Sequence, residues 1–169
     1  RGEEDGVFVP NIGVDFGGTG SATTFVCTGF TKAFKYIIPL YSERLDEELK
    51  PEELNERFAD FVTLCYNKLG RPMNVYADSA EQILIRGLKR VALQKGLPVQ
   101  VHNARKLPIN DRIRLVNKLV AQDRWRVCKG AQTVKAAMCE ALWHPKKDDE
   151  RLDDGTTDID TLDAMEYSI

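Results

Sequence analysis

Apolar residues alternate with polar or small ones in three early runs: NIGVDF from Asn11, ATTFVCTGF from Ala22 and FKYIIPLY from Phe34. A period of two, rich in Thr and aromatic residues, predicts β-strands. Only GGTGS separates the first two runs, and so short a connection predicts antiparallel neighbours. Then the period changes. Leu54, Phe58, Phe61, Val62 and Leu69 recur at helical spacing between Pro51 and Gly70, which predicts a helix over 51–69. MNVYAD predicts a strand ending in Asp78. SAEQILIRGLKRVALQKG predicts a helix capped by Ser79 and stopped at Gly96.

LPVQVHNA predicts another strand. In PINDRIRLVNKLVAQD, the residues Ile109, Ile113, Val116, Leu119 and Val120 share one helical face. WRVC predicts a short strand, AQTVKAAMCEALW a helix and PKKDDERLDDGTTD a polar, mobile loop. DIDTLDAMEYSI predicts a terminal helix capped by Thr157 or Asp158. Antiparallel strands followed by strand–helix alternation predict an α/β domain with a mixed sheet. No repeat or low-complexity tract interrupts the pattern.

Composition narrows the class. With 43% hydrophobic and 30% charged residues, 169 residues describe one folded domain with its own core. No apolar run approaches the roughly 18 residues of a membrane span. The opening RGEEDGVFVPNIG lacks the basic-then-apolar pattern of a signal peptide. It begins at Arg1 without an initiating Met, so the chain reads as part of something longer. Arg1–Gly6 is expected to be a linker stub and 7–169 the domain. Cys27, Cys65, Cys128 and Cys139 form no CxxC pair, which predicts reduced structural thiols and a cytoplasmic compartment.

The net charge of -2 conceals an asymmetry. From Arg86 to Lys147 there are 15 lysines and arginines against only Asp111, Asp123 and Glu140, a net of +12. The remainder carries -14. A basic third can follow a phosphate backbone by releasing its counterions, although solvated helix faces would give the same count.

Candidate chemistry lies in the acids. Asp15 ends an apolar strand, where a carboxylate is costly unless it is paired or binds a cation. The glycines after it would let a phosphate or metal approach the backbone. Asp78 closes a second strand, at the edge where open α/β sheets bind ligands. Asp160 and Asp163 share a face of the last helix, which Glu166 continues one turn later. An Asx turn, a helix cap and a solvated face would explain each piece alone. Together they make a carboxylate cluster suited to Mg²⁺ or Mn²⁺. His102 and His144 read as structural or surface residues. Walker A, GxSxG and HExxH motifs are absent from the sequence.

The segments IGVDFGG, VYADSAEQ, ARKLPINDRIRLVNKL and DTLDAMEYS occur in an order that resembles the C-terminal nuclease domain of the large terminase subunit of tailed bacteriophages. The resemblance implies a ribonuclease H-like fold with a mixed five-stranded sheet flanked by helices. It implies two divalent ions, Mg²⁺ or Mn²⁺, and endonucleolytic cutting of concatemeric double-stranded viral DNA during packaging in the host bacterial cytoplasm. It matches Asp15, Asp78 and Asp163 to the family's catalytic metal ligands. Asp160 falls where many members have His, so its role as a further ligand stays open. Lys106 sits where the family often has a basic residue, and Arg105, Arg112 and Arg114 are expected DNA contacts. Implied partners are an upstream packaging ATPase domain, the portal and the small terminase subunit.

Three alternatives stand beside this. VDFGGTGSATTF also resembles the phosphate-binding opening of actin-like-superfamily sugar kinases, though the second lobe they need has no counterpart here. Another nuclease of the same superfold, a resolvase or integrase core, is a second. A catalytically inert DNA-binding module of the same fold is the third.

Overall fold

A strand buried on both faces must lie inside a sheet, and Thr23–Thr31 (β2) is buried at every residue. It separates Val7–Asp15 (β1) from Ile37–Leu45 (β3), both antiparallel to it. Met73–Ala77 (β4) pairs parallel with β1, and Val99–Asn103 (β5) pairs parallel with β4. The computed structural model, which describes residues 6–18, 20–141 and 157–169, thus holds a mixed five-stranded sheet of order β3-β2-β1-β4-β5.

Alternation along the strands divides the core. Ile12 and Val14 of β1 and Phe25 and Cys27 of β2 pack with helices Pro51–Leu69 (α1) and Gln82–Gln94 (α2). Val26 and Phe30 pack on the other side with helices Ile109–Ala121 (α3), Gln132–Glu140 (α4) and Ile159–Tyr167 (α5). The expected mixed α/β sheet flanked by helices is therefore observed. None of the described helices is long and apolar enough to cross a membrane.

The helix predicted over 51–69 is α1. Lys50 N–H donates to Glu53 Oε2 at 2.9 Å in its first turn, and Gly70 closes it in the left-handed region at φ 63. Other boundaries moved. β1 begins at Val7, earlier than the alternation indicated. Lys32–Phe34 form a 3-10 turn, with Ala33 and Phe34 at φ 57 and 52, so β3 starts only at Ile37. Thr31 Oγ1 accepts from Tyr36 N–H at 2.9 Å and closes that turn.

Ser79 is not the cap of α2, which begins at Gln82 behind Glu81. The turn belongs to Asp78, whose Oδ1 accepts from Ala80 N–H at 3.1 Å. WRVC supplies a single bridge, Trp125 to Ile37, with the Arg126 and Cys128 amides donating to the Ile37 and Pro39 carbonyls. Asp158 caps α5 by accepting from Thr161 N–H at 3.0 Å. Cys27 and Cys65 are buried, whereas Cys128 and Cys139 are exposed. Arg1–Asp5, His144 and most of the polar stretch PKKDDERLDDGTTD lie outside the described residues.

Candidate active site

Position 13 sets the geometry. Gly13 is flanked in β1 by Ile12 and Val14, which point to the α1/α2 side, so it faces α5. A Cβ built there would lie 1.7 Å from the Ala164 carbonyl oxygen. Only glycine lets the α5 backbone lie directly on β1. Asp15 faces the same way two residues on, so α5 brings its acids to Asp15.

Polar contacts fix the helix at that height. Thr24 Oγ1 donates to the Asp160 carbonyl at 2.8 Å, and Ala22 N–H donates to Asp160 Oδ2 at 3.0 Å. At the far end, the Thr28 and Ser168 hydroxyls meet at 2.6 Å. Arg44 pairs with the capping Asp158. Asp78, one residue past β4, donates its N–H to the Val14 carbonyl at 3.1 Å and so stands beside the end of β1. Gly17 lets the loop close on itself, since a Cβ there would lie 2.7 Å from the backbone of residues 21–23. Gly18 faces open space.

Asp15 records the result electrostatically. The residue is 7% exposed. Burial first, and then the charges of Asp163, Asp160 and Asp78, push its pKa up to about 8, against a small opposing pull from Lys106. Four carboxyls predicted from scattered segments therefore share one field.

Their chemistry fits a hard divalent cation, which would relieve the repulsion and the burial of Asp15. As they stand, however, no group of three or more His, Cys, Asp or Glu side chains among the described residues converges closely enough to hold a metal ion. Two of the acids have basic partners. Lys106 Nζ lies 3.3 Å from Asp78 Oδ2, and Arg112 Nη1 lies 2.8 Å from Asp163 Oδ1. Asp78 and Asp163 are each turned to a basic donor of their own.

The basic residues separate. The Lys106 side chain is 51% exposed beside Asp78. Arg105 is exposed next to it. The Arg114 side chain is 81% exposed, 3.9 Å from Asp111. Arg112 is different: its side chain is 13% exposed, and Nη1 also meets Glu166 at 2.5 Å, whose side chain is 2% exposed. Burial opposes its charge, and Glu166 and Asp163 more than restore it, so its pKa stays above the ordinary arginine value. The structure thus gives Arg112 two carboxylates inside the protein.

Sequence reasoning did not single out two further features. Tyr167, 6% exposed, is pushed above the usual phenol range by burial and then by Asp163, Asp15 and Asp78. It lines a cleft of about 310 Å³ with Arg105, Arg112 and Glu166. The spacing of Tyr167 to Asp163 on one helix was the available signal, but only the sheet gives that face its neighbours. His102, as expected, is structural: it stacks on Tyr76 with ring centroids 5.5 Å apart and pairs with Asn74 at 3.1 Å.

The model of the terminase RNaseH-like domain family matches residues 12–169. Among solved structures, the large terminase nuclease domain of bacteriophage SPP1, with bound Mn, is 21% identical. That alignment covers 96% of this chain and 85% of that one, with a TM-score of 0.70. The large terminase nuclease domain of bacteriophage P22 is 12% identical over 99% and 81% of the two chains, with a TM-score of 0.69. The Mn-soaked terminase nuclease domain of human cytomegalovirus is 9% identical over 96% and 83%, with a TM-score of 0.57. No curated protein matches the chain by sequence.

Proposed function

This chain belongs to the terminase RNaseH-like domain family, and we propose on that footing that it is a metal-dependent endonuclease cutting double-stranded concatemeric viral DNA during genome packaging. The observation that carries the proposal is Asp15, a buried strand-end carboxyl in the field of Asp163, Asp160 and Asp78. So many acids around one buried carboxyl oppose folding unless they serve a cation. The Mn in the SPP1 domain and the Mn soaked into the cytomegalovirus domain support a divalent ion here as well.

In this reading Asp15, Asp78 and Asp163 hold two ions, Mg²⁺ or Mn²⁺, with Asp160 beside them. Such ions supply an activated water and stabilise the leaving oxygen of a phosphodiester. The protein's own groups do the rest. β1 and α5, locked together at Gly13, keep Asp15 and Asp163 on rigid elements. Lys106 holds Asp78 and, half exposed, meets a DNA phosphate. Arg105 and Arg114 add backbone contacts, which position the duplex without reading its bases, so sequence specificity is low. Arg112 balances Asp163 and Glu166 from within.

The domain is read as 7–169, acting in the host bacterial cytoplasm. Its partners are DNA, an upstream packaging ATPase domain, the portal and the small terminase subunit. The match over 12–169 leaves the sugar-kinase lobe without support. The inert DNA-binding module is separated by experiment.

Supercoiled plasmid is incubated with the protein in Mn²⁺, Mg²⁺ or EDTA, beside Asp15→Asn. Nicking and linearisation that need metal and vanish in the variant are the expected result. Outer-shell partners of metals are worth about 10–100-fold, so loss of a direct ligand should cost more than about 100-fold. A folded protein that binds plasmid but never cuts it would establish the inert module instead.

A further inference from the structure

The Tyr167 hydroxyl is buried with no hydrogen-bond partner among the described residues. Two other polar atoms share that condition, Asn11 Oδ1 and Arg112 Nε. All three residues line the same cleft. Beyond them, only Trp125 Nε1 and Thr161 Oγ1 are buried and unpartnered among the described side chains. Unmet buried polar atoms cost stability, and folds rarely gather them in one place unless something else satisfies them.

The remaining walls describe what that could be. Tyr76 presents a ring already stacked on His102. Leu107, Leu115 and Ile169 supply apolar surface. The volume, about 310 Å³, is at the small end for ligand sites and suits one heterocycle rather than a peptide. Charge selects further. An anion would meet Glu166 and the neighbouring Asp163, and a cation would meet Arg105 and Arg112. A neutral planar ring with donors and acceptors on its edge satisfies every wall. It can stack on or against Tyr76, and small side-chain rotations of Asn11, Arg112 and Tyr167 would bring the enclosed acceptor Asn11 Oδ1, donor Arg112 Nε and Tyr167 hydroxyl to its edge.

The location completes the argument. Arg105 and Leu107 flank Lys106, which reaches Asp78, and Arg112 binds Asp163. The cleft therefore shares its wall with the aspartates. We propose that it takes a single nucleobase, swung out of the duplex beside the bond that the aspartates act on. This rests on the nuclease reading above. Extruding a base sacrifices its stacking and pairing, and a shaped pocket with edge contacts offsets that cost.

The test compares two labelled duplexes, one intact and one carrying a single abasic site, cut in Mn²⁺ by wild type, Leu115→Trp and Tyr167→Phe. Leu115 is 42% exposed at the rim, so Trp there can fill the cleft without disturbing the core. Leu115→Trp should slow cutting of the intact duplex by about tenfold or more. It should cut beside the abasic site at the wild-type rate, because no base there needs housing. Tyr167→Phe, which loses only the hydroxyl, should show a smaller slowing with the same recovery, and it carries the comparison if Leu115→Trp does not fold. Equal slowing on both duplexes, or no slowing on the intact one, overturns the base pocket. Should wild type cut neither duplex, the nuclease reading fails and the pocket falls with it.

Discussion

Asp15 shows how one residue can be legible in kind and not in degree. Its placement in an apolar strand marked it as costly before any neighbour was known. That its pKa rises to about 8 depended first on its burial in the fold and then on Asp163, Asp160 and Asp78 arriving from two other segments. The shift has a consequence for stability. Between its ordinary 3.8 and about 8, folded Asp15 keeps a proton that the unfolded carboxyl releases. The metal-free protein therefore loses stability as pH rises through that window and levels off above it. Urea midpoints in EDTA at stepped pH should fall from pH 5 to 8 and fall less in Asp15→Asn; parallel slopes would contradict the assignment. Because a metal must displace that proton, divalent binding should tighten over the same range.

At the scale of elements, the decisive contact is α5 on β1. The terminal helix was legible from Ile159, Leu162, Met165 and Ile169, and its cap was narrowed to Thr157 or Asp158, of which Asp158 takes the role. Its partner strand was not. Gly13 lies inside an apolar run where a missing side chain looks like a weakness in the strand. Its purpose appears only against the Ala164 carbonyl. Gly13→Ala should force the two backbones apart. Overpacking costs about 1–3 kcal/mol, and a clash with a backbone oxygen belongs at the upper end. Chemical denaturation should show that loss, and metal-dependent cutting should fall further than stability alone explains, since Asp160 and Asp163 move with the helix. A variant with wild-type stability and cutting would remove the helix from the account.

The whole molecule redistributes the charge that the sequence displayed as one block. Arg86, Lys89 and Arg90 lie on α2, which packs with α1 on one face of the sheet. Lys106 pairs with Asp78, Arg105 precedes it in the loop after β5, and Arg114 lies on α3, which packs on the same side of the sheet as α5. On the proposed nuclease reading, the second group is the one that holds DNA. Each neutralised phosphate contributes about -0.9 to the slope of log affinity against log salt, so three contacts give a slope of roughly -3. Arg114→Ala should reduce it by about one, read by fluorescence anisotropy on a duplex at several salt concentrations. Arg86→Ala should leave it unchanged. An equal effect from both would mean that the basic stretch binds as one surface after all.

What the sequence determined is whatever depends on local period and local chemistry. The strands at 11–16, 22–30 and 73–78, the helix at 51–69, and the three acid-bearing segments follow from alternation, helical spacing and the cost of a carboxylate in an apolar strand. The motif order carried the family as well. Tertiary structure decided everything that needed two distant segments at once. Ser79 looked like a cap, but Asp78 took the turn amide. The sequence offered Arg112 as a phosphate contact and gave no sign that Glu166 and Asp163 reach it from α5. Asn11, Tyr76 and Tyr167 meet in one cleft although nothing in their neighbours links them. Side-chain period is a property of a few consecutive residues, whereas hydrogen-bond and ion-pair partners are set by which elements lie against each other in the fold.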